Sequence, residues 1–220
     1  MKLLAAPFAV LFLFSGQVMA CYDAEMSDAE NFDNCTTLAE QDDTKAQYNL
    51  ALMYRTGSGT EVDYQQALYW YQQAANAGTV KAQYNVALMY QLGAGTDRNS
   101  AKAIEWYLAA AEQDHLNSQF NLALLYHKGD GVATDYEQAI VWYSKAAKAG
   151  HSNALYNLAT MYDQAQGVEQ NYALAYALWQ LAAEQGNELA QLNINTLSEV
   201  ITAEQLELVD ELTLEWAAED

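Results

Sequence analysis

The chain has 220 residues, 52% of them hydrophobic, and carries 29 Asp and Glu against nine Lys and Arg, for a formal net charge of −20. A chain of this length and hydrophobic content can bury a sizeable core. Its charge argues against nucleic acid or an anionic membrane surface as partners, because both are bound through Lys and Arg side chains that neutralise phosphates. We interpret the acidic residues as a solvated surface that keeps the protein soluble, with a basic partner as the alternative.

The first twenty residues predict a secretory signal peptide. A positive start, MK, precedes the apolar run LLAAPFAVLFLF, and the segment ends in the small-residue cleavage pattern VMA. An uncleaved anchor is the alternative, but the apolar run is shorter than the ~20 residues that span a bilayer. We therefore expect an exported chain, 21–220, with no membrane span after cleavage, located in a Gram-negative periplasm.

Two cysteines, Cys21 and Cys35, follow the predicted cleavage site. An oxidising compartment favours a disulfide between them. Lipidation of Cys21 is the alternative, since VMAC resembles a bacterial lipobox, although Met19 fits that pattern poorly. The two outcomes exclude each other because acylation consumes the Cys21 sulfur. The disulfide would fasten an N-terminal capping half-repeat, 21–45, in which residues 30–45 match the second half of the repeats that follow.

The chain then repeats with a period of 36 residues, without insertion or deletion. The phrase AQYNLALMY at 46–54, for example, returns as AQYNVALMY at 82–90. Such a period is typical of a solenoid, in which stacked units bury apolar faces that one unit cannot bury alone. The four predicted units are 46–81, 82–117, 118–153 and 154–189.

Each unit is predicted to contain two helices. The first ends before a Gly-x-Gly pair, where glycine permits the positive φ that closes a helix. Unit four has Ala165 at the first of these positions and keeps Gly167, so its turn is expected to differ. The second helix starts at an Asp or Asn that can accept a hydrogen bond from a backbone N–H. These capping residues are Asp63, Asn99, Asp135 and Asn171.

Residues 190–220 predict a C-terminal cap. The segment 190–201 imitates a first helix of the repeat. Thr202 can then cap one final acidic helix that covers the last apolar face. Terminal repeats of a solenoid are expected to be atypical in this way.

The units share the pattern Ala-x-Tyr-Asn-Leu-x-x-x-Tyr, then Gly-x-Gly-Val, then Asp-Tyr-x-x-Ala-x-x-Trp-Tyr-x-x-Ala-Ala-x-x-Gly. This pattern resembles the Sel1-like repeat, a relative of the tetratricopeptide repeat, over residues 30–200. One departure is systematic, because Ala51 and its equivalents stand where the family usually has glycine. The resemblance implies an all-α fold, a right-handed α-solenoid of antiparallel helix pairs, and a protein-binding role without a fixed substrate.

The first helices carry a row of aromatic rings beside a row of asparagines, on the side opposite their core stripe. Such rows suit an extended peptide, because Asn can donate to and accept from a peptide backbone while rings cover apolar side chains. The resemblance implies that an Asn at this position makes backbone contacts, as in tetratricopeptide grooves. The alternative is that both rows pack helix to helix. The candidate binding residues are Tyr48, Asn49, Arg55, Tyr84, Asn85, Gln91, Phe120, Asn121, His127, Tyr156 and Asn157.

The sequence contains no catalytic motif, metal-ligand spacing or phosphate-binding loop. His115 and His151 occupy the same inter-helix turn one unit apart and are interpreted as turn residues. We therefore predict a non-enzymatic adaptor or regulator that binds a protein or extended peptide and needs no metal or cofactor. The alternative is a cell-wall or β-lactam-related binding protein or hydrolase, against which the missing nucleophile–base pair argues.

Overall fold

The computed structural model describes residues 21–218, so the predicted signal peptide, 1–20, lies outside the described residues. Within 21–218 the chain forms twelve α-helices and no strand. The helices are α1 Asp28–Ala39, α2 Thr44–Thr56, α3 Tyr64–Asn76, α4 Val80–Leu92, α5 Ser100–Ala111, α6 Leu116–Lys128, α7 Tyr136–Lys148, α8 Ser152–Asp163, α9 Tyr172–Glu184, α10 Glu188–Leu197, α11 Ala203–Glu207 and α12 Val209–Ala218.

From α1 to α10 the helices stack in chain order, each packing mainly on the helix before it and the helix after it, whereas α12 packs mainly on α9. Four helix pairs result, α2–α3, α4–α5, α6–α7 and α8–α9, preceded by α1 and followed by three C-terminal helices. The predicted all-α solenoid of helix pairs with a 36-residue period is thereby confirmed.

Small and aromatic side chains share the core. In the first pair, Ala46 and Leu50 of α2 and Ala67 and Tyr71 of α3 are fully buried, as their helical spacing predicts. Alanine lets helix axes approach closely, and the larger rings fill the space that remains between pairs. Because each pair presents apolar surface to its neighbours, the pairs stabilise one another.

The second helix of every pair begins at the predicted capping residue. The Asp63 carboxylate accepts hydrogen bonds from the backbone N–H groups of Gln65 and Gln66 at 2.9 and 3.0 Å. Its counterparts Asn99, Asp135 and Asn171 each accept one such bond, at 2.9 to 3.0 Å. Each cap satisfies backbone donors that have no partner within the helix, which contributes about 1 kcal/mol.

The Gly-x-Gly turn joins one unit to the unit before it. The first glycine ends the first helix in a left-handed conformation, as at Gly93 with φ of 71°. The second glycine, Gly95, also has positive φ and lies directly against the start of α3, where a Cβ atom would be 2.2 Å from the Tyr64 carbonyl oxygen. The absence of a side chain at this position is therefore required for the close approach of successive units.

Unit four shows which of the two glycines the fold requires more strictly. Ala165 replaces the first glycine and is forced to a φ of 54°, and α8 ends at Asp163, one residue earlier than its counterparts. Gly167 is retained, and a Cβ there would be 2.5 Å from the Tyr136 Cβ. The expected difference in this turn is thus observed, and the retained glycine is the one in close contact.

Ala165→Gly is expected to raise the free energy of unfolding by about 1 kcal/mol. A left-handed conformation costs an L-residue roughly 1–2 kcal/mol, and the entropy that glycine loses on folding offsets part of the gain. Urea denaturation of both proteins measures the difference. An unchanged or lower stability would contradict a strained turn at this position.

The predicted disulfide joins the segment before α1 to α1 within the N-terminal cap. Cys21 and Cys35 are bonded, and both are buried against α2. Asn31, which was not predicted from the sequence, is fully buried and holds the segment before α1. Its amide donates to the carbonyl of Asp23 at 2.8 Å, and its carbonyl oxygen accepts from the N–H of Asp23 at 2.7 Å.

The C-terminal cap differs in part from its prediction. Thr202 caps a helix as expected, but the single helix predicted after it is interrupted at Leu208 and forms α11 and α12. The interruption separates two environments, because α11 buries no residue whereas Val209 of α12 packs against Ala173 and Ala177 of α9. Because α12 packs on α9, α9 is apolar on more than one side.

Candidate protein-binding face

The predicted binding residues all lie on the first helices of the four pairs. The side of α2, α4, α6 and α8 that carries them is called the first-helix face. All eleven side chains are half-buried except Arg55, which is exposed. The structure places equivalent residues on successive first helices, so the predicted rows exist as rows in the fold.

In units one to three each ring of the aromatic row packs against a tyrosine on the second helix of its own unit. The ring centroids of Tyr48 and Tyr71 are 5.5 Å apart, and Tyr84 lies 5.9 Å from Tyr107. Phe120 contacts Tyr143 in the same way. In unit four Trp179 takes the place of the tyrosine and donates its indole N–H to the Tyr156 carbonyl at 3.3 Å. Packing between helices, the alternative considered for the aromatic row, therefore accounts for one side of these rings.

The asparagine row bonds to the tyrosines of the preceding unit. The Asn121 amide donates to the Tyr107 hydroxyl at 3.3 Å, and the Asn157 amide donates to the Tyr143 hydroxyl at 3.1 Å. The Tyr107 hydroxyl in turn donates to Gln91 at 2.7 Å. Burial raises the pKa of both tyrosines, so these hydroxyls stay protonated and available as donors.

His127 occupies the Gln91 position one unit later and has two polar contacts. Its Nδ1 lies 3.5 Å from the Tyr143 hydroxyl, and its Nε2 lies 3.0 Å from the Gln166 side-chain oxygen. His127 was predicted from the sequence only as a ligand contact. The structure shows that it also links the first-helix face to the turn of unit four.

The same network is incomplete in unit one. The Tyr71 hydroxyl is buried without a hydrogen-bond partner, because the equivalent Asn85 donates to the Lys81 carbonyl at 2.8 Å instead. Burial raises the pKa of Tyr71, and the Arg55 guanidinium beside its hydroxyl opposes that rise. Asn49 also departs from the pattern, since its amide donates to the Cys21 sulfur at 3.4 Å.

Tyr71→Phe is expected to raise the free energy of unfolding by about 1 kcal/mol, whereas Tyr107→Phe should lower it by a similar amount. The first change removes a buried hydroxyl that has no partner, and the second removes one that makes two hydrogen bonds. Both tyrosines are fully buried at equivalent positions, so each serves as the control for the other. Equal effects in urea denaturation would contradict the difference between the two sites.

The two histidines of the inter-helix turns cap the first helices that follow them. His115 Nδ1 accepts from the N–H of Ser118, and His151 Nδ1 accepts from the N–H of Ala154, both at 3.3 Å. Asn187 has the same role one unit later, accepting from Ala190 at 3.1 Å. Both histidines were predicted from the sequence only as turn residues. Their alignment with Asn187, a common capping residue, was the available signal.

The histidine rings also extend the aromatic row. His151 stacks on Phe120 with centroids 4.4 Å apart, and His115 lies 4.9 Å from Tyr84. Each of these two first-helix rings is therefore held between a tyrosine of its own unit and a histidine of the next turn. Contacts on both sides fix the ring positions before any ligand binds.

Protein stability is expected to fall as the pH decreases below about 6.5. Burial lowers the pKa of His115 and His151 below the value of about 6.5 for unfolded histidine, and Lys81 lowers that of His115 further. The unfolded chain therefore binds protons first as the pH decreases. The contribution of the two histidines to stability is therefore complete above the pKa of unfolded histidine. It is lost as the pH falls toward their lower pKa in the folded protein. Nδ1 protonation would also remove both helix caps.

The double variant His115→Asn/His151→Asn should flatten this pH dependence, because asparagine caps the equivalent helix at Asn187 without titrating. Urea midpoints measured for both proteins between about pH 5 and 8 provide the test. Parallel loss of stability in the two proteins below pH 6.5 would show that other groups cause it.

A cavity of about 380 Å³ lies at the C-terminal end of the first-helix face, between α8, α9 and α10. Tyr156, Asp163 and Trp179 line it together with Glu199 from the turn after α10. Burial raises the pKa of Asp163. The cavity could not be predicted from the sequence, because it depends on how α10 and the turn after it pack beside the last repeat.

Metal-binding groups of three or more His, Cys, Asp or Glu side chains are absent from residues 21–218. No helix in the part of the chain that the structure describes has the length and apolar character needed to cross a membrane. Both cysteines are joined in the disulfide, so neither is a free thiol.

Among the solved structures that are similar to this chain are two repeat proteins and an immunity protein, all bacterial. The c5321 protective antigen present in uropathogenic Escherichia coli strains is 34% identical, with 85% of this chain and 41% of that chain covered and a TM-score of 0.75. A Sel1 repeat protein from Oxalobacter formigenes is 28% identical, with coverage of 86% and 77% and a TM-score of 0.72. The immunity protein PA5088 from Pseudomonas aeruginosa is 25% identical, with 86% of this chain and 74% of that chain covered and a TM-score of 0.48. The chain thus spans less than half the length of the c5321 antigen.

The repeats themselves match a known family. Residues 44–79, 80–115, 116–151 and 152–187 each match the family model described as Sel1 repeat. Each match begins at the first residue of a first helix, two residues before the unit predicted above. No curated protein sequence matches the chain significantly. Since the four matches cover more than half of its residues, the chain belongs to the Sel1 repeat family.

Proposed function

We propose that this protein is an exported, non-enzymatic adaptor or regulator that binds a protein or an extended peptide on the first-helix face. Sel1 repeat proteins generally mediate protein–protein interaction and are generally non-catalytic scaffolds. The observation that carries the proposal is the row of half-buried rings and amides that recurs on four successive first helices. Side chains repeated at constant spacing suit an extended segment that contacts several units at once.

Helix packing of the aromatic row supports this proposal. Tyr84 and Phe120 are each in contact with a tyrosine on one side and a histidine on the other, yet both are only half-buried. Rings that are already fixed lose little rotamer entropy when a ligand covers them. Packing and ligand contact are therefore compatible roles for the same side chains.

Export is supported by two features. Residues 1–20 have the composition of a secretory signal peptide, and Cys21 is bonded to Cys35, which is consistent with an oxidising compartment such as the periplasm. The bonded Cys21 sulfur is unavailable for acylation, so we favour a secreted form over a lipoprotein. An intact mass of the mature protein without acyl chains and with both thiols oxidised is the expected result.

In-cell photocrosslinking tests the binding face. Leu92 at the end of α4 is the position of choice, because it is 68% exposed whereas the adjacent Gln91 accepts a hydrogen bond from Tyr107. Val141 on α7, which is 45% exposed, is the matched control on a second helix. We expect a photoreactive residue at 92 to trap a defined protein partner that the same residue at 141 does not trap. Identical or diffuse products from both positions would contradict a binding role for this face.

A further inference from the structure

The eight Lys and Arg residues of 21–218 fall into two groups of four. Four lie outside the first helices and are engaged with other side chains. Arg98 pairs with the Asp130 carboxylate, while Lys102, Lys145 and Lys148 lie over the rings of Tyr90, Trp142 and Trp216.

The other four cations lie on the first helices. Lys45 and Arg55 belong to α2, Lys81 to α4 and Lys128 to α6, and all four side chains are exposed. None of them forms an ion pair with a residue that the structure describes. In a chain where acidic residues outnumber basic ones threefold, cations without such a partner indicate a surface from which carboxylates are excluded.

The sequence of these helices shows the same exclusion. Among the 39 residues of α2, α4 and α6 there is no Asp or Glu, although the chain contains 29. Acidic residues on first helices begin with Asp163, at the end of α8. The first three units therefore present a positively charged strip on an otherwise acidic protein, and such a strip attracts and orients a ligand of opposite charge.

One buried donor beside this strip, on α3, lacks an acceptor. The Tyr71 hydroxyl has no hydrogen-bond partner, whereas the equivalent Tyr107 hydroxyl donates to Gln91 and accepts from Asn121. Arg55 lies beside it and is exposed, so its guanidinium can shift together with an incoming group. An acceptor supplied by a ligand would satisfy a hydroxyl whose isolation is otherwise costly.

We infer that the first-helix face of α2, α4 and α6 binds an acidic segment of a partner protein. Asp or Glu carboxylates of that segment contact Lys45, Arg55 and Lys81, and one carboxylate accepts from the Tyr71 hydroxyl. The aromatic row supplies apolar contact beside these charges. The inference rests on the proposed function and specifies the chemistry of its partner. Repulsion from the rest of the acidic surface confines such a segment to this strip.

Fluorescence anisotropy with a labelled peptide of alternating Glu and Ala tests the inference, with a Gln–Ala peptide as the uncharged probe. The double variant Arg55→Gln/Lys81→Gln is expected to weaken Glu–Ala binding about tenfold. The variant Lys102→Gln/Lys145→Gln has the same change in net charge on second helices and should bind like the unmodified protein. Binding of the unmodified protein should weaken when salt shortens the Debye length below about 10 Å.

Three outcomes would overturn the inference: no binding of the Glu–Ala peptide, equal binding of the Gln–Ala peptide, or equal weakening by the two double variants. Tyr71→Phe, which should fold stably, is expected to weaken Glu–Ala binding about threefold more than Tyr107→Phe does; equal effects would refute the role of the Tyr71 hydroxyl.

Crosslinking from Leu92 separates this inference from the proposed function. A trapped partner whose crosslinked segment is rich in Asp and Glu supports both. A partner held through a neutral or basic segment overturns the acidic-segment inference and leaves the adaptor function standing. Failure to trap any partner specific to Leu92 overturns the function and the inference with it.

Discussion

Gly95→Ala is expected to lower the free energy of unfolding by about 4 kcal/mol or to prevent folding altogether. A loss of this size needs a specific structural cause. An added Cβ would lie 2.2 Å from the Tyr64 carbonyl oxygen and 2.4 Å from the Tyr64 carbonyl carbon. Both are backbone atoms at the start of α3, so no side-chain rotation can relieve the contact. The turn of unit two would have to move away from unit one.

Gly78→Ala is the matched control. Gly78 has a φ of 88°, similar to the 74° of Gly95, but a Cβ there would meet no atom within 4 Å. This change should therefore cost only the roughly 1–2 kcal/mol of a left-handed alanine. Urea denaturation followed by circular dichroism compares the two variants. Similar losses in both would mean that backbone conformation, rather than contact between units, is why glycine is needed at position 95.

Replacing both cysteines by serine, Cys21→Ser/Cys35→Ser, is expected to lower the free energy of unfolding by about 3 kcal/mol. The disulfide joins residues 14 positions apart, and a closed loop of about 15 residues is worth this amount in the chain-entropy model. Since both sulfurs are buried against α2, the loss should be greatest in α1 and α2. Each repeat pair contacts only its neighbours, so the far end of the solenoid should be affected least.

Amide hydrogen exchange distinguishes this local effect from global destabilisation. We expect protection to fall in α1 while amides of α8 stay protected. A reducing agent should reproduce the pattern in the unmodified protein and leave the double variant unchanged. Uniform loss of protection along the chain would contradict a role confined to the N-terminal cap.

The fold could be predicted because its determinants are local. Asp63 and its three equivalents fix where second helices begin, and the glycine pairs fix where first helices end. The 36-residue spacing of these signals then defines the helix pairs. The break at Leu208 could not be predicted, since no breaker residue marks it and it reflects how α12 packs on α9.

The candidate site was predicted less completely, because equivalence between repeats says nothing about contact between them. Alignment places Asn121 and Asn157 in one row but does not show that each bonds to a tyrosine 14 residues earlier, in the preceding unit. The same limit hid the exception at Tyr71, which occupies the equivalent position but has no hydrogen-bond partner. Such differences between identical positions appear only when side-chain directions are known.

Packing between consecutive helices from α1 to α10 constrains the order in which the protein forms. Contacts between adjacent helices keep the sequence separation of contacting residues small, and topologies of this kind fold rapidly. The disulfide needs only the chain up to Cys35, and α2 then completes the cap. A chain that crosses a membrane from its N-terminus can therefore fold vectorially, each helix pair serving as the template for the next before the C-terminal acidic helices emerge.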